Sequence, residues 1–307
     1  MEVTASSRCW ICGEGAALTE EHIPPKKAFN ASTIFLQTYE DFNKNAQSGF
    51  RVHGQTIQGG FRRKTLCASC NNQTGGHYGG AFVDFAKKCA SVMERAMQVG
   101  DLLPTTSFKT YPLRVAKQIL TMFLSVAGEA FCEKHPHYRN YVLERKASGC
   151  LPDVKLYCYG NPNVGNRVVP LTAQRSPSGD HLWISEIGTW PLGYVLAVDC
   201  EIRGNRLCEL TPLLDYDIDD ELEITMTIPL LPVSTMFPLD FRTVKEVEAD
   251  YLNKTARTRT PPSTDEKAEM RQELLELRDG LDRRVGISPS TIWIGGQEME
   301  HIADENK

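Results

Sequence analysis

Apolar positions along this chain change period three times, and each change predicts a different kind of element. Residues 33–38 and 50–57 mix apolar and polar positions at strand length, and Gly59 and Gly60 end the second piece. From residue 79 the period lengthens: Phe82, Phe85, Ala86, Cys89 and Met93 recur at helical spacing, which predicts a helix beginning near Gly79. Residues 113–131 predict a second helix, with Val115, Ile119, Met122, Phe123 and Val126 on one side, and residues 138–146 a third. The stretch 104–112, with a proline at each end, reads as a connection. After Gly149 the texture becomes β, with strands expected at 154–159, 168–172, 182–187, 193–198 and 222–228 between Pro, Gly and Asn turns. A polar linker at 255–264 precedes a helix with Thr264 as N-cap and Met270, Leu274, Leu277, Leu281 and Val285 along one face. The class is α+β. Residues 1–100 form one unit and residues 101–307 a second, helical at 105–147, β-rich at 150–235 and with a helical tail at 243–285.

Bulk properties narrow the setting. No apolar run reaches the roughly 18 residues that a membrane-spanning helix needs. The longest such stretch, near 119–130, is interrupted by Thr121, Ser125 and Glu129. The N-terminus lacks a basic segment followed by an apolar one, so the expected address is cytoplasmic. A net charge of −5 argues against a nucleic-acid coat over the whole chain. The charge is uneven, however: residues 1–99 carry eleven Lys or Arg against eight Asp or Glu, and the remainder is strongly acidic.

The basic part also holds the most specific pattern. Cys9-Trp-Ile-Cys12 and Cys67-Ala-Ser-Cys70 are two pairs at metal-ligand spacing. Thiolates two residues apart reach one zinc ion from a tight knuckle, and two knuckles complete a tetrahedron. Four cysteines leave no open position, so this zinc is expected to be structural. The long stretch between Cys12 and Cys67 must loop out from the site. Cys89, Cys132, Cys150, Cys158, Cys200 and Cys208 read as small buried hydrophobes.

Between the pairs lies Thr19-Glu-Glu-His-Ile-Pro-Pro-Lys26, and the second pair sits in Leu66-Cys-Ala-Ser-Cys-Asn-Asn-Gln-Thr-Gly75. Together with the cysteines, these strings resemble the HNH (ββα-metal) endonucleases, in particular the zinc-clamped branch typified by recombination endonuclease VII. The resemblance covers about the first third of the chain. It implies an N-terminal zinc-stabilised ββα-metal module followed by a mixed helix/strand domain. It also implies hydrolysis of phosphodiester bonds, most readily in DNA. His22 would be the general base, and a catalytic Mg²⁺ or Mn²⁺ would be held by Glu21 and Asn71. The chain departs from the family in having Glu at 21 where Asp is common, and in lacking an asparagine shortly before the third cysteine. Phe61-Arg-Arg-Lys-Thr65 stands there instead.

Arg62, Arg63 and Lys26 are candidate phosphate contacts, and His77 is a candidate extra ligand or phosphate contact. Solvated surface positions are the rival reading for each. His135 and His137 flank Pro136 with no carboxylate at matching spacing, so the sequence places no second metal there. Two alternatives stay open: a zinc-stabilised nucleic-acid-binding module without catalysis, and a protein-interaction module. Residues 101–307 leave room for a homo-oligomeric contact or a protein partner.

Overall fold

A computed structural model describes residues 8–41, 44, 53–162, 165–175, 181–202, 207–243, 245–247, 249–250 and 291–294. Its first strands are β1 (Leu18–His22), β2 (Ile34–Thr38), β3 (Gln55–Ile57) and β4 (Arg62–Cys67). β1 pairs antiparallel with β4, placing Leu18 opposite Cys67 and His22 opposite Arg62, with a bulge at Thr19/Glu20. The excursion between them carries β2 and β3, which pair with each other.

β4 runs directly into α1 (Ala68–Thr74), because the extended Cys67 caps it by accepting a bond from the Cys70 N–H at 3.5 Å. A π-turn at Gly75–Gly79 joins α1 to α2 (Gly80–Val99). The helical segment therefore begins eleven residues before Gly79, the start that periodicity predicts. Three glycines lower intrinsic helix propensity across the π-turn. Tertiary packing overrides them: Tyr78 is fully buried and donates to the Val142 carbonyl at 2.8 Å. Phe82, Phe85, Ala86, Cys89 and Met93 are all buried, as their spacing requires.

The stretch expected as a connection contains β5 (Thr105–Thr110), which pairs with β11 (Leu222–Thr227) and fastens the end of the β-rich region beside α2. α3 (Pro112–Ala127) is buried on almost every side, so it is a central helix rather than an amphipathic cover. The predicted single helix over 113–131 breaks at Gly128, whose φ of 107° and ψ of 155° no helix accommodates. α4 (Glu129–Lys134) and α5 (Pro136–Leu143) follow, with Pro136 at the first turn of α5.

An eight-stranded sheet covers α3. It adds β6 (Val154–Gly160), β7 (Asn166–Arg175), β8 (His181–Gly188), β9 (Leu192–Val198), β10 (Cys208–Glu209) and β12 (Thr291–Ile294). Its order is β10-β6-β9-β8-β7-β12-β2-β3, and β12 runs parallel to both β7 and β2. β2 and β3 from the excursion thus end up in the same sheet as the β-rich region. One continuous hydrophobic core runs from Cys9 to Ile228.

A second cluster holds a fully buried ion pair between Arg167 and Glu186 at 2.7 Å. Tyr159, Leu239, Thr235 and Asp240 complete its hydrogen bonds, which offsets the cost of burying two charges. Among the six remaining cysteines, Cys89, Cys132 and Cys158 are buried as expected. Cys150 is exposed, and Cys200 and Cys208 are half-buried, because they lie on turns and a short edge strand. The predicted tail helix from Thr264 lies outside the described residues, as does most of the expected helical region 243–285. Among the described residues no helix is long and apolar enough to cross a membrane.

Candidate metal centre and the strand pair beside it

Cys9, Cys12, Cys67 and Cys70 bring their Sγ atoms within 4.8 Å of one another, and Cys12 lies 3.9 Å from Cys67. The first knuckle closes because the Gly13 N–H donates to the Cys9 carbonyl at 2.8 Å and the Cys9 N–H to Glu14 at 3.0 Å. Gly13 has φ +79°, a backbone conformation that favours glycine, and the Arg139 guanidinium packs against it. The Trp10 N–H donates to the Thr65 carbonyl at 2.9 Å, tying this knuckle to β4 and hence to the second.

The donor set fits zinc. All four ligands are thiols, and three of them are buried. Burial opposes ionisation of Cys9, but backbone hydrogen bonds at Cys67, Cys12 and Ile11 bring its thiol down to about 7. Burial and the charge on Cys9 push Cys70 up, and burial chiefly pushes Cys12 up. Cys9 therefore ionises more readily than Cys12 and Cys70, and a dication held among the four would offset the charge of the thiolates it binds. The four cysteines are positioned to bind a metal such as zinc.

Strand alternation sends neighbouring side chains of β1 to opposite faces. Glu21 points inward and is 6% exposed, and its carboxyl accepts a short hydrogen bond from Ser125 on α3. Burial, with a smaller push from Cys9, raises its carboxyl to about 8, so near neutrality Glu21 is largely protonated. His22 is half-buried on the other face, and its Nε2 lies 3.1 Å from the Gly59 carbonyl. A carbonyl only accepts, so Nε2 carries the proton and Nδ1 keeps the lone pair. Burial, Arg62 and Lys26 hold His22 below the ordinary imidazole range, so it is neutral at pH 7.

The Gly59 carbonyl thus orients the imidazole. Asn30 sets that loop. Its Nδ2 donates to Pro24 and Phe61 carbonyls at 2.7 and 2.8 Å, and its Oδ1 accepts from the Phe61 N–H at 2.7 Å. Gly60, at φ +88°, packs so closely on Asn30 that a Cβ would lie 2.2 Å from its carbonyl oxygen. Sequence reasoning passed over Asn30. Its one signal is an amide five residues beyond a Pro-Pro step. Asn30→Ala is expected to cost about 2–3 kcal/mol, checked by denaturant unfolding, because the Pro24 carbonyl and the Phe61 N–H lose their partner and the Phe61 carbonyl keeps only the Ile23 N–H.

The remaining candidates divide. Asn71 donates through Nδ2 to Thr19 Oγ1 at 3.0 Å and to the Glu20 carbonyl at 3.2 Å, so α1 is pinned to β1 beside Glu21. The structure therefore sets Asn71, on α1, against Thr19 and Glu20 of β1, and the Glu21 carboxyl against Ser125 of α3. Arg62 is partly exposed beside His22 and pairs with Glu20 at 2.9 Å, and Lys26 is exposed. Arg63 is corrected as a phosphate contact: it is 8% exposed, stacks over Trp10 at 5.1 Å and points at the Val126 carbonyl. His77 sits in the π-turn, edge-on to Tyr78, with Nδ1 buried and without a hydrogen-bond partner among the described residues.

No family model, curated protein or solved structure matches this chain. Its function rests on its own residues.

Proposed function

We propose that this protein is a metal-dependent endonuclease of the HNH type, acting on DNA, with a structural zinc at Cys9, Cys12, Cys67 and Cys70. The observation that carries the reading is the setting of His22: its Nε2–H is fixed on the Gly59 carbonyl, which leaves Nδ1 as the base, and burial favours the neutral imidazole. In this reading Nδ1 takes a proton from water as the water oxygen bonds to phosphorus and the opposite P–O bond breaks. Arg62 and Lys26 contact the phosphate backbone. A catalytic Mg²⁺ or Mn²⁺ would offset charge on the phosphate and leaving oxygen, with Glu21 and Asn71 as its protein ligands. Carboxyl and amide oxygens suit such an ion in kind. Two conditions attach: Glu21 must lose the proton that burial favours, and its carboxylate must leave Ser125 for the face of β1 that His22 occupies.

The test is nicking of supercoiled plasmid with magnesium. His22→Ala is expected to lower the rate by about 10²-fold or more, the usual contribution of a general base, with zinc content unchanged. Full activity in that variant rejects His22 as the base.

The burial of Glu21 favours one rival, a zinc-stabilised nucleic-acid-binding module without catalysis. Retained DNA binding with no nicking by the wild type, at any pH or with either metal, selects it.

A further inference from the structure

The sequence shows His135 and His137 without a carboxylate partner, but the fold supplies one. Pro136 opens α5 and puts one histidine on each side of the joint with α4. Asp153 stands in the turn before β6, and its Oδ2 lies 3.1 Å from His137 Nε2. One ligand atom from each of His135, His137 and Asp153 lies within 4.8 Å of the other two. We infer that these three side chains form a second metal site, separate from the four cysteines, that takes a borderline dication such as zinc, nickel or cobalt.

Two imidazoles and one carboxylate are the donor set of such ions; magnesium and calcium prefer oxygen alone. The spacing fits. Metal–ligand bonds of about 2.0–2.1 Å in a tetrahedron imply ligand separations of about 3.3 Å. The His137–Asp153 edge is already near that, and the His135 ligand atom lies within 4.8 Å of both partners. Asp153 Oδ1 is buried with no hydrogen-bond partner among the described residues, which marks acceptor capacity that the fold leaves unused.

The ligands are also braced from outside. The Tyr138 hydroxyl donates to Asp153 Oδ2 at 2.5 Å, and the His135 ring stacks on Tyr138 at 5.3 Å with a 12° interplanar angle. Such supports fix the orientation of metal ligands. Asp199, whose N–H donates to the Asp153 carbonyl at 2.9 Å, adds negative charge near His135, and Lys134 opposes it. The His137 side chain is 47% exposed, which leaves an entry path and at least one position for water.

α5 also holds the zinc knuckle, since Arg139 donates to the Ile11 carbonyl. An ion at its first turn would stiffen the element that braces the first site.

Native mass spectrometry of the full chain in micromolar zinc tests the inference. Wild type is expected to carry two zinc ions, and His137→Ala and Asp153→Asn one each. Cys12→Ser is expected to retain the His-Asp ion, so failure at either site is read independently. His137 is exposed, so its alanine variant should fold; a zinc-dependent rise in melting temperature should appear in wild type and shrink in that variant. A zinc count equal in wild type, His137→Ala and Asp153→Asn overturns the site.

Discussion

Cys12→Ser is expected to destabilise the protein by at least about 4 kcal/mol, and a strong chelator should do the same to the wild type. Cys12 is the least buried of the four ligands, so serine disturbs packing little and the loss reports the metal. The lower bound comes from chain entropy. A metal joining Cys12 to Cys67 closes a loop of 55 residues, and the cross-link relation gives about 4 kcal/mol for that length. Ligand bonding adds to it, since structural zinc contributes about 10–16 kcal/mol of apparent free energy to small metal-dependent domains. The β1–β4 pair depends on this tie, because β1 is a five-residue strand with a bulge and two adjacent glutamates. Thermal unfolding followed by circular dichroism, with zinc content measured in parallel, checks the result. Cys150→Ser is the control: Cys150 is exposed and lies outside the cluster, and its loss should leave both readings unchanged. Equal melting temperatures for Cys12→Ser and wild type would mean that the cysteines hold no stabilising ion.

The sequence was legible where local pattern and final packing agree. The cysteine spacing foretold the cluster, and the apolar stripe of α2 and the β texture after Gly149 foretold their elements. It was illegible where partners lie far apart. β1 and β4, Leu-Thr-Glu-Glu-His and Arg-Arg-Lys-Thr-Leu-Cys, show no apolar alternation; pairing and the cysteine cluster hold them instead. β5 was hidden between prolines because its partner comes more than a hundred residues later. The same distance hid the chemistry of the site. Ser125, which donates to the Glu21 carboxyl from α3, is 104 residues away, and Asp153 meets His137 only once β6 is in place. Arg63 read as basic surface because nothing local announces that Trp10 and Val126 will cover it. Periodicity reports which face is buried, and it is silent on which polar groups are buried with it.

Glu21→Gln is expected to raise stability at pH 7 and to abolish metal-dependent cleavage in the same molecule. Glu21 has an ordinary carboxyl value of 4.5 and rises to about 8 in the fold. The folded state therefore holds a proton that the unfolded chain releases. Its contribution is fully present below pH 4.5, falls as pH rises, and is lost by about pH 8. At about 1.4 kcal/mol per unit, the whole window amounts to about 5 kcal/mol, of which about 3 is already lost at pH 7. Glutamine cannot ionise and still accepts from Ser125, so it removes that slope and recovers part of the loss. Urea unfolding at several pH values reads it directly: the wild type should weaken between pH 5 and 8 relative to the variant. Cleavage should respond in the opposite sense. A dication competes with the proton on Glu21, so wild-type nicking should climb towards pH 8. His22 is already neutral by then, because its own ionisation lies below the usual imidazole range, and so cannot cause the rise. A variant that keeps full cleavage with the same pH profile would falsify Glu21 as a metal ligand. A variant with an unchanged stability slope would show that the buried carboxyl is not the group that titrates.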